Sequence, residues 1–327
     1  MYRNIEDRYV TLWQEKSLTY SHEWGHPITS KPTLSRGARL MRIKPFNRAD
    51  GDVGNIISME HVNVTVPDQS MATLFYVNGL GFTRDPYIDF GPFNVWVNVG
   101  RQQFHLPTAT AQVLRGKTGI VMPELDGLTE RLSRIGKRLR ETSFSYTRRK
   151  KWVDVTCPWG NKIRCHEPGA FGAMQLGIPY VEFLVPNGTV AGISRFYEKI
   201  MGCSTNLHKN KVSVAIGQQQ ELRFVESNKQ EASYDGHHIA IYVSNFSGPH
   251  NFLKKAGLIT EESDQHQYRF QSITDPNTGD HLFDIEHEVR SLYHPMFERH
   301  LVNRNASQSF FNYQRDRDVF VPAESTS

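Results

Sequence analysis

The sequence predicts an α+β protein made of four copies of one βαβββ unit, a strand, a helix and three more strands, arranged as two tandem domains with cupped mixed sheets. Two observations carry this expectation. A short paragraph, His61-Val-Asn-Val-Thr-Val-Pro67 followed by Phe75-Tyr76 and Gly81, returns as Tyr180-Val-Glu-Phe-Leu-Val-Pro186 followed by Phe196-Tyr197 and Gly202. Between and beyond these copies, period-two alternation and helical spacing succeed one another four times in the same order.

In the first unit, Val62, Val64 and Val66 alternate with His61, Asn63 and Thr65, the pattern of a half-buried strand. Asp68 or Ser70 can cap the helix that follows. Met71, Leu74 and Phe75 share one of its faces, and Asn78-Gly79 stops it. Phe93, Val95, Val97 and Val99 alternate again, and Gly100 turns the chain into Gln103-Phe-His-Leu106. The second unit starts at Gly119-Ile-Val-Met122. Its helix carries Leu125, Leu128, Leu132, Ile135 and Leu139 at helical spacing, and strands from Trp152 and Lys162 close it around the turn Cys157-Pro-Trp-Gly-Asn161.

The third unit runs from Tyr180 through a helix bearing Ile193, Phe196, Tyr197 and Ile200 to strands at Val212–Ile216 and Glu221–Val225. The fourth starts at His238-Ile-Ala-Ile-Tyr-Val243, passes a helix near Phe252 and Leu253, and ends in strands at Tyr268–Thr274 and Leu282–Glu288. The expected organisation is therefore an extension at 1–55, domains at 56–170 and 176–290, and an extension at 291–327. The extensions read as segments packed on the domains or on a second copy of the chain, a homodimer.

Composition narrows the function classes. The 327 residues hold 38 basic and 34 acidic side chains, a net charge of +4, and the basic ones are scattered. This argues against nucleic acid and for a small-molecule ligand, with anions slightly favoured. The one basic cluster, Arg148-Arg149-Lys150-Lys151, lies between two strand-like runs and reads as a solvated turn. Three cysteines without paired spacing exclude a disulfide framework or a thiolate zinc site. Charged residues Arg3, Glu6, Asp7 and Arg8 fill the start of the chain, and no apolar run is long enough to span a bilayer. The expectation is a soluble cytoplasmic protein with no membrane partner, in which Asn305-Ala-Ser is a chance sequon.

The succession of units resembles the vicinal oxygen chelate superfamily, which includes glyoxalase I, bleomycin-resistance proteins, extradiol dioxygenases and 4-hydroxyphenylpyruvate dioxygenase. The resemblance rests on His61-Val-Asn-Val-Thr-Val-Pro-Asp68, on Phe75-Tyr76 with Gly79-Leu-Gly-Phe82, on His238-Ile-Ala-Ile-Tyr-Val243 and on the Pro-x-Gly-Asn turn at Pro158–Asn161. It implies paired units that form a cupped sheet, with a divalent metal held on the concave face by ligands from the first and last strands of each unit. Because the superfamily spans lyases, isomerases, dioxygenases and metal-free binders, the implied fold is firmer than any implied activity.

Strand parity then sorts side chains, since the apolar set must cover the helices and the alternate set must face the cup. In the first domain this places His61, Asn63, Thr65, Trp96, Gln103, His105, Arg164 and His166 inside. In the second it places Tyr180, Glu182, Glu221, Arg223, His238, Tyr242, Asp284 and Glu286 there. The expected metal ligands are His61, His105 and His166 in one cup and His238 and Glu286 in the other, for Fe, Zn, Mn or Ni. Neither set is complete. Lys117 or Thr118 and Arg164 stand at ligand positions in the first domain and Tyr180 in the second, and a guanidinium cannot ligate a cation.

Two functions stay open. One is a metal-dependent lyase, isomerase or dioxygenase acting on a small oxygenated molecule, with Glu286 as ligand or base and Arg164 and Arg223 on an anionic group. The other is a metal-free binding protein or degenerate domain pair in which Trp96, Tyr180 and Tyr242 contact an aromatic ligand and an arginine holds its acid group.

Overall fold

The computed structural model describes residues 48–89, 91–229, 232–302 and 312. Most of the first extension, with His22 and His26, and nearly all of the tail beyond 302, with Asn305, lie outside the described residues.

The first unit comprises β1 (Ile56–Asn63), β2 (Thr83–Asp89), β3 (Asn94–Val99) and β4 (Gln102–Pro107). Its helix α1 starts at Gln69–Ala72 and continues as a π-helical stretch, Thr73–Gly79. Asp68 caps it by accepting the Met71 amide at 2.9 Å. Met71, Leu74 and Phe75 do pack inward, and the wider π winding also brings Tyr76 into the core. The second unit holds β5 (Gly116–Val121), α2 (Leu125–Gly136), β6 (Ser145–Arg148), β7 (Trp152–Thr156) and β8 (Lys162–His166). Arg149, Lys150 and Lys151 form the exposed turn between β6 and β7.

The third unit holds β9 (Gly177–Val185), α3 (Val190–Lys199), β10 (Thr205–His208), β11 (Lys211–Ala215) and β12 (Glu221–Glu226). The fourth holds β13 (His238–Val243), α4 (Ser247–Lys255), β14 (Ile259–Asp264), β15 (Gln267–Thr274) and β16 (His281–Ser291). The strands form two eight-stranded mixed sheets.

The sheets do not follow the chain's halves. One has the order β14-β15-β16-β13-β1-β4-β3-β2 and joins the first unit to the fourth; the other, β10-β11-β12-β9-β5-β8-β7-β6, joins the second to the third. Each sheet thus draws one unit from 56–170 and one from 176–290. Consecutive units meet instead through their apolar sides. Gly79 of α1 packs on Ile135 of α2 so tightly that a Cβ would overlap the isoleucine, and Arg195 of α3 pairs with Asp275 after β15. One continuous apolar core runs through all four units.

Cross-strand size helps fix which first strands pair. Opposite His61 on β1 stands Ala240 on β13, and opposite Tyr180 on β9 stands Gly119 on β5. A Cβ on Gly119 would overlap the Tyr180 ring. In each sheet a small residue leaves room for a large ring from the neighbouring strand, which is the shape matching that sets cross-strand pairing energy.

Candidate metal centre

The pairing of the outermost units brings three histidines together. His61 of β1, His105 of β4 and His238 of β13 each present a ring nitrogen, and the three nitrogens lie within 4.8 Å of one another. The register explains why. Ala240 pairs with both His61 and Glu288, while Asn63 pairs with both His238 and His105. Two adjacent cross-strand rows on one sheet face therefore carry Glu288 and His61, and His238 and His105.

Two of the histidines are buried and His105 is partly buried. His61 is 0% exposed and His238 7%. The Nε2 atoms of His61, His105 and His238 are all buried and have no hydrogen-bond partner among the described residues. Burial lowers the pKa of His61, and burial together with the neighbouring His61 lowers that of His105 further, so both imidazoles are held neutral. An unsatisfied buried polar atom costs about 1–3 kcal/mol, and three of them on rings whose nitrogens come within 4.8 Å of one another is the arrangement a cation would relieve. By this test the donor set fits a divalent metal: imidazole nitrogens with a carboxylate at hand.

That carboxylate is Glu288, whose Oε2 lies 3.5 Å from His238 Nε2. Arg269 reaches it at 2.5 Å and Arg290 pairs with it as well. Burial pushes the Glu288 carboxyl up, but the adjacent Arg290 and His238 bring it well below the usual range. Glu286, the acid expected from sequence, pairs in register with His238 itself, stands 3.7 Å from its Nδ1, and accepts Arg269 at 2.7 Å. The alternation that puts Glu286 in the cup also puts Glu288 there, because β16 continues to Ser291. One further step along the strand reaches it.

Around the histidines, Trp96 stacks on His105 with ring centroids 3.9 Å apart and meets His61 edge-on at 4.8 Å. Its Nε1 is buried without a partner, as is Asn63 Oδ1. Tyr242 donates its hydroxyl to Glu60 at 2.8 Å. The segment after β16 lies over this side of the sheet. Met296 packs on Tyr87, Ile88 and Trp96, and Phe297 meets Tyr242 at 4.9 Å. Arg299 pairs with buried Asp85 and donates to Gln103 at 3.2 Å. Beside it is a cavity of about 640 Å³ whose walls include Glu60, Gln103, Tyr242 and Phe297.

The second sheet holds the corresponding positions with other chemistry. There Gly119 pairs with Tyr180 and Arg164, and Glu182 pairs with Lys117 and Arg223. Tyr180, Arg164, Lys117 and Arg223 thus stand where His61, Glu288, His238 and His105 stand in the first sheet. Lys117 pairs with Glu182 at 2.7 Å, Arg164 with Asp154 at 2.7 Å, and Arg223 Nε with Glu221 at 2.6 Å. The Arg223 guanidinium also lies 3.7 Å over the Tyr180 ring.

His166 belongs to this second sheet, so it does not complete a set with His61 and His105 as the sequence reading had it. It sits 3.1 Å from the Tyr180 hydroxyl, and burial, aided by Arg164 and Arg223, lowers its pKa to about 4. Arg164, Arg223 and Tyr180 are likewise separated from the three histidines by sheet membership and are engaged with neighbours. His287 is a core residue: its Nδ1 donates to Ile285 O at 2.8 Å and its Nε2 accepts from Tyr197 at 2.7 Å.

No protein-family model matches the chain, and no curated protein matches it in sequence. Solved structures do. A proposed dioxygenase from Bacillus subtilis strain 168 superposes with a TM-score of 0.51 at 13% identity, covering 79% of this chain and 89% of that one. Glyoxalase I from Zea mays matches with a TM-score of 0.48 at 13% identity, covering 71% and 92%. With four βαβββ units in two cupped mixed sheets, the chain has the vicinal oxygen chelate fold.

Proposed function

We propose that the protein is a metal-dependent enzyme acting on a small oxygenated organic molecule, with the cup of the first and fourth units as its working site and the other cup as a structural partner. One observation carries this reading: three imidazoles from three different strands, two buried and one partly buried, bring ring nitrogens within 4.8 Å of one another, and among the described residues none of their buried Nε2 atoms has a hydrogen-bond partner. His61, His105 and His238 would hold the ion, and Fe, Zn, Mn or Ni suits such donors. A divalent ion held there would supply Lewis-acid chemistry, polarising substrate oxygens and offsetting negative charge that develops on them.

The chain's own groups have distinct tasks. Glu288, ionised between Arg269 and Arg290, either completes the ligand set or takes a proton from the substrate. Trp96 offers an unused Nε1–H to a substrate oxygen. Met296 and Phe297 cover the cup and keep water from it.

Metal analysis of protein purified without an affinity tag tests this. About one equivalent of transition metal is expected for a single centre. Less than roughly a tenth of an equivalent, with no gain on anaerobic Fe(II) loading, overturns the reading. The competing function is a metal-free binding protein. It is favoured by the two arginines that already neutralise Glu288, and the same analysis separates the two.

A further inference from the structure

We propose that Glu60 is a positioning residue that holds His61 in the one tautomer able to ligate a metal. The inference rests on the centre proposed above. Neighbours in a regular strand point to opposite faces, so Glu60 should lie behind the sheet. It does not, because β1 is irregular at this point: Met59 pairs with Ile241 and His61 with Ala240, leaving Glu60 as an extra residue. Such a bulge can turn two successive side chains to one face. Glu60 Oε2 then reaches His61 Nδ1 at 3.0 Å.

The surroundings keep Glu60 an acceptor. Its Oε1 accepts the Tyr242 hydroxyl at 2.8 Å, and Arg290 pairs with Oε2. Glu60 is 9% exposed, Tyr242 3% and Arg290 6%. The Tyr242 hydroxyl and the Arg290 guanidinium both donate to this carboxylate, so it accepts from His61 as well and the imidazole proton sits on Nδ1. That leaves the lone pair on Nε2, which has no hydrogen-bond partner among the described residues, on a ring whose centroid lies 5.6 Å from that of His105 and 5.7 Å from that of His238. The opposite tautomer would set a lone pair against the carboxylate and point a proton into the centre. A carboxylate behind a ligating histidine fixes ring orientation and raises ligand basicity.

Two readouts test this without an activity assay. Two-bond ¹H–¹⁵N spectra of metal-free protein, with His61 assigned by comparison with His61→Gln, should show His61 protonated on Nδ1. Glu60→Gln keeps an acceptor oxygen and should retain that tautomer. Glu60→Leu should move His61 toward the Nε2-protonated form and weaken Co(II) binding about 10–100-fold, with Glu60→Gln in between. A wild-type His61 protonated on Nε2 overturns the proposal, and so does a Glu60→Leu protein that keeps both tautomer and affinity. If Glu60→Leu fails to fold, the wild-type tautomer alone decides. Wild-type protein that binds no Co(II) defeats the metal centre instead, and the spectra still judge Glu60.

Discussion

The two cups of this molecule share one backbone plan and differ in what they leave unfinished. In the cup of the second and third units, every residue at a ligand position is already engaged: Lys117 with Glu182, Arg164 with Asp154, Arg223 with Glu221, and Tyr180 beneath Arg223. In the cup of the first and fourth units, the corresponding positions hold His61, His105, His238 and Glu288, and among the described residues three ring nitrogens have no hydrogen-bond partner. Polar groups that satisfy one another describe structure, whereas unsatisfied ones at a shared point describe a ligand. On the function proposed above, the chemistry belongs to one sheet and the support to the other.

The strongest way to break that contrast is to remove ligands from each cup in turn. His105→Ala and His238→Ala should each weaken Co(II) binding by more than about 100-fold, beyond what loss of a supporting residue does, while His166→Ala should leave it unchanged. Spectrophotometric titration checks all three. An equal loss from His166→Ala would mean that the wrong sheet has been chosen.

Next in size is the segment that covers the working cup, for which Arg299 supplies a buried anchor. Arg299→Ala leaves Asp85 without its cation and should cost about 3 kcal/mol in denaturant unfolding. The supporting cup has its own vulnerable contact. Gly119→Val drives a side chain into the Tyr180 ring and should destabilise by about 1–3 kcal/mol, part of it regained in a Gly119→Val, Tyr180→Ala double variant.

The smallest effect concerns the ion pairs of the supporting cup. Burial raises the Asp154 carboxyl, but hydrogen bonds from Arg164 and Trp152 leave it below its ordinary value. A carboxylate depressed in the folded state contributes stability above its unfolded pKa and loses it as the pH falls through the folded value. The pair is largely solvated, so Asp154→Asn should cost less than about 1 kcal/mol at neutral pH and nothing extra in acid. Unfolding curves at the two pH values check this.

Much of this was legible in the sequence because it depends on local periodicity. The four units, the turn at Cys157–Asn161 and the inward side of β1, β4 and β13 follow from alternation. Partner choice between units does not, since period-two patterning says which face is buried and not which strand lies alongside. Pairing consecutive units left His61 and His105 facing Lys117 and Arg164, and His238 facing Tyr180, so both sites looked incomplete. Exchanging partners turns the same residues into one full donor set and one inert one.

Two site residues were missed for different reasons. Glu288 continues the parity of Glu286 and needed only a longer strand. Glu60 is hidden by a β1 irregularity that places it beside His61, and simple alternation assigns it to the wrong face.

The central claim is that the first and fourth units together build the metal centre. Anomalous diffraction at the absorption edge of a loaded metal tests it most directly. A single peak about 2.0–2.2 Å from nitrogens of His61, His105 and His238 is the predicted result. A peak among Lys117, Arg164, Tyr180 and Arg223, or none between the three histidines, would contradict it.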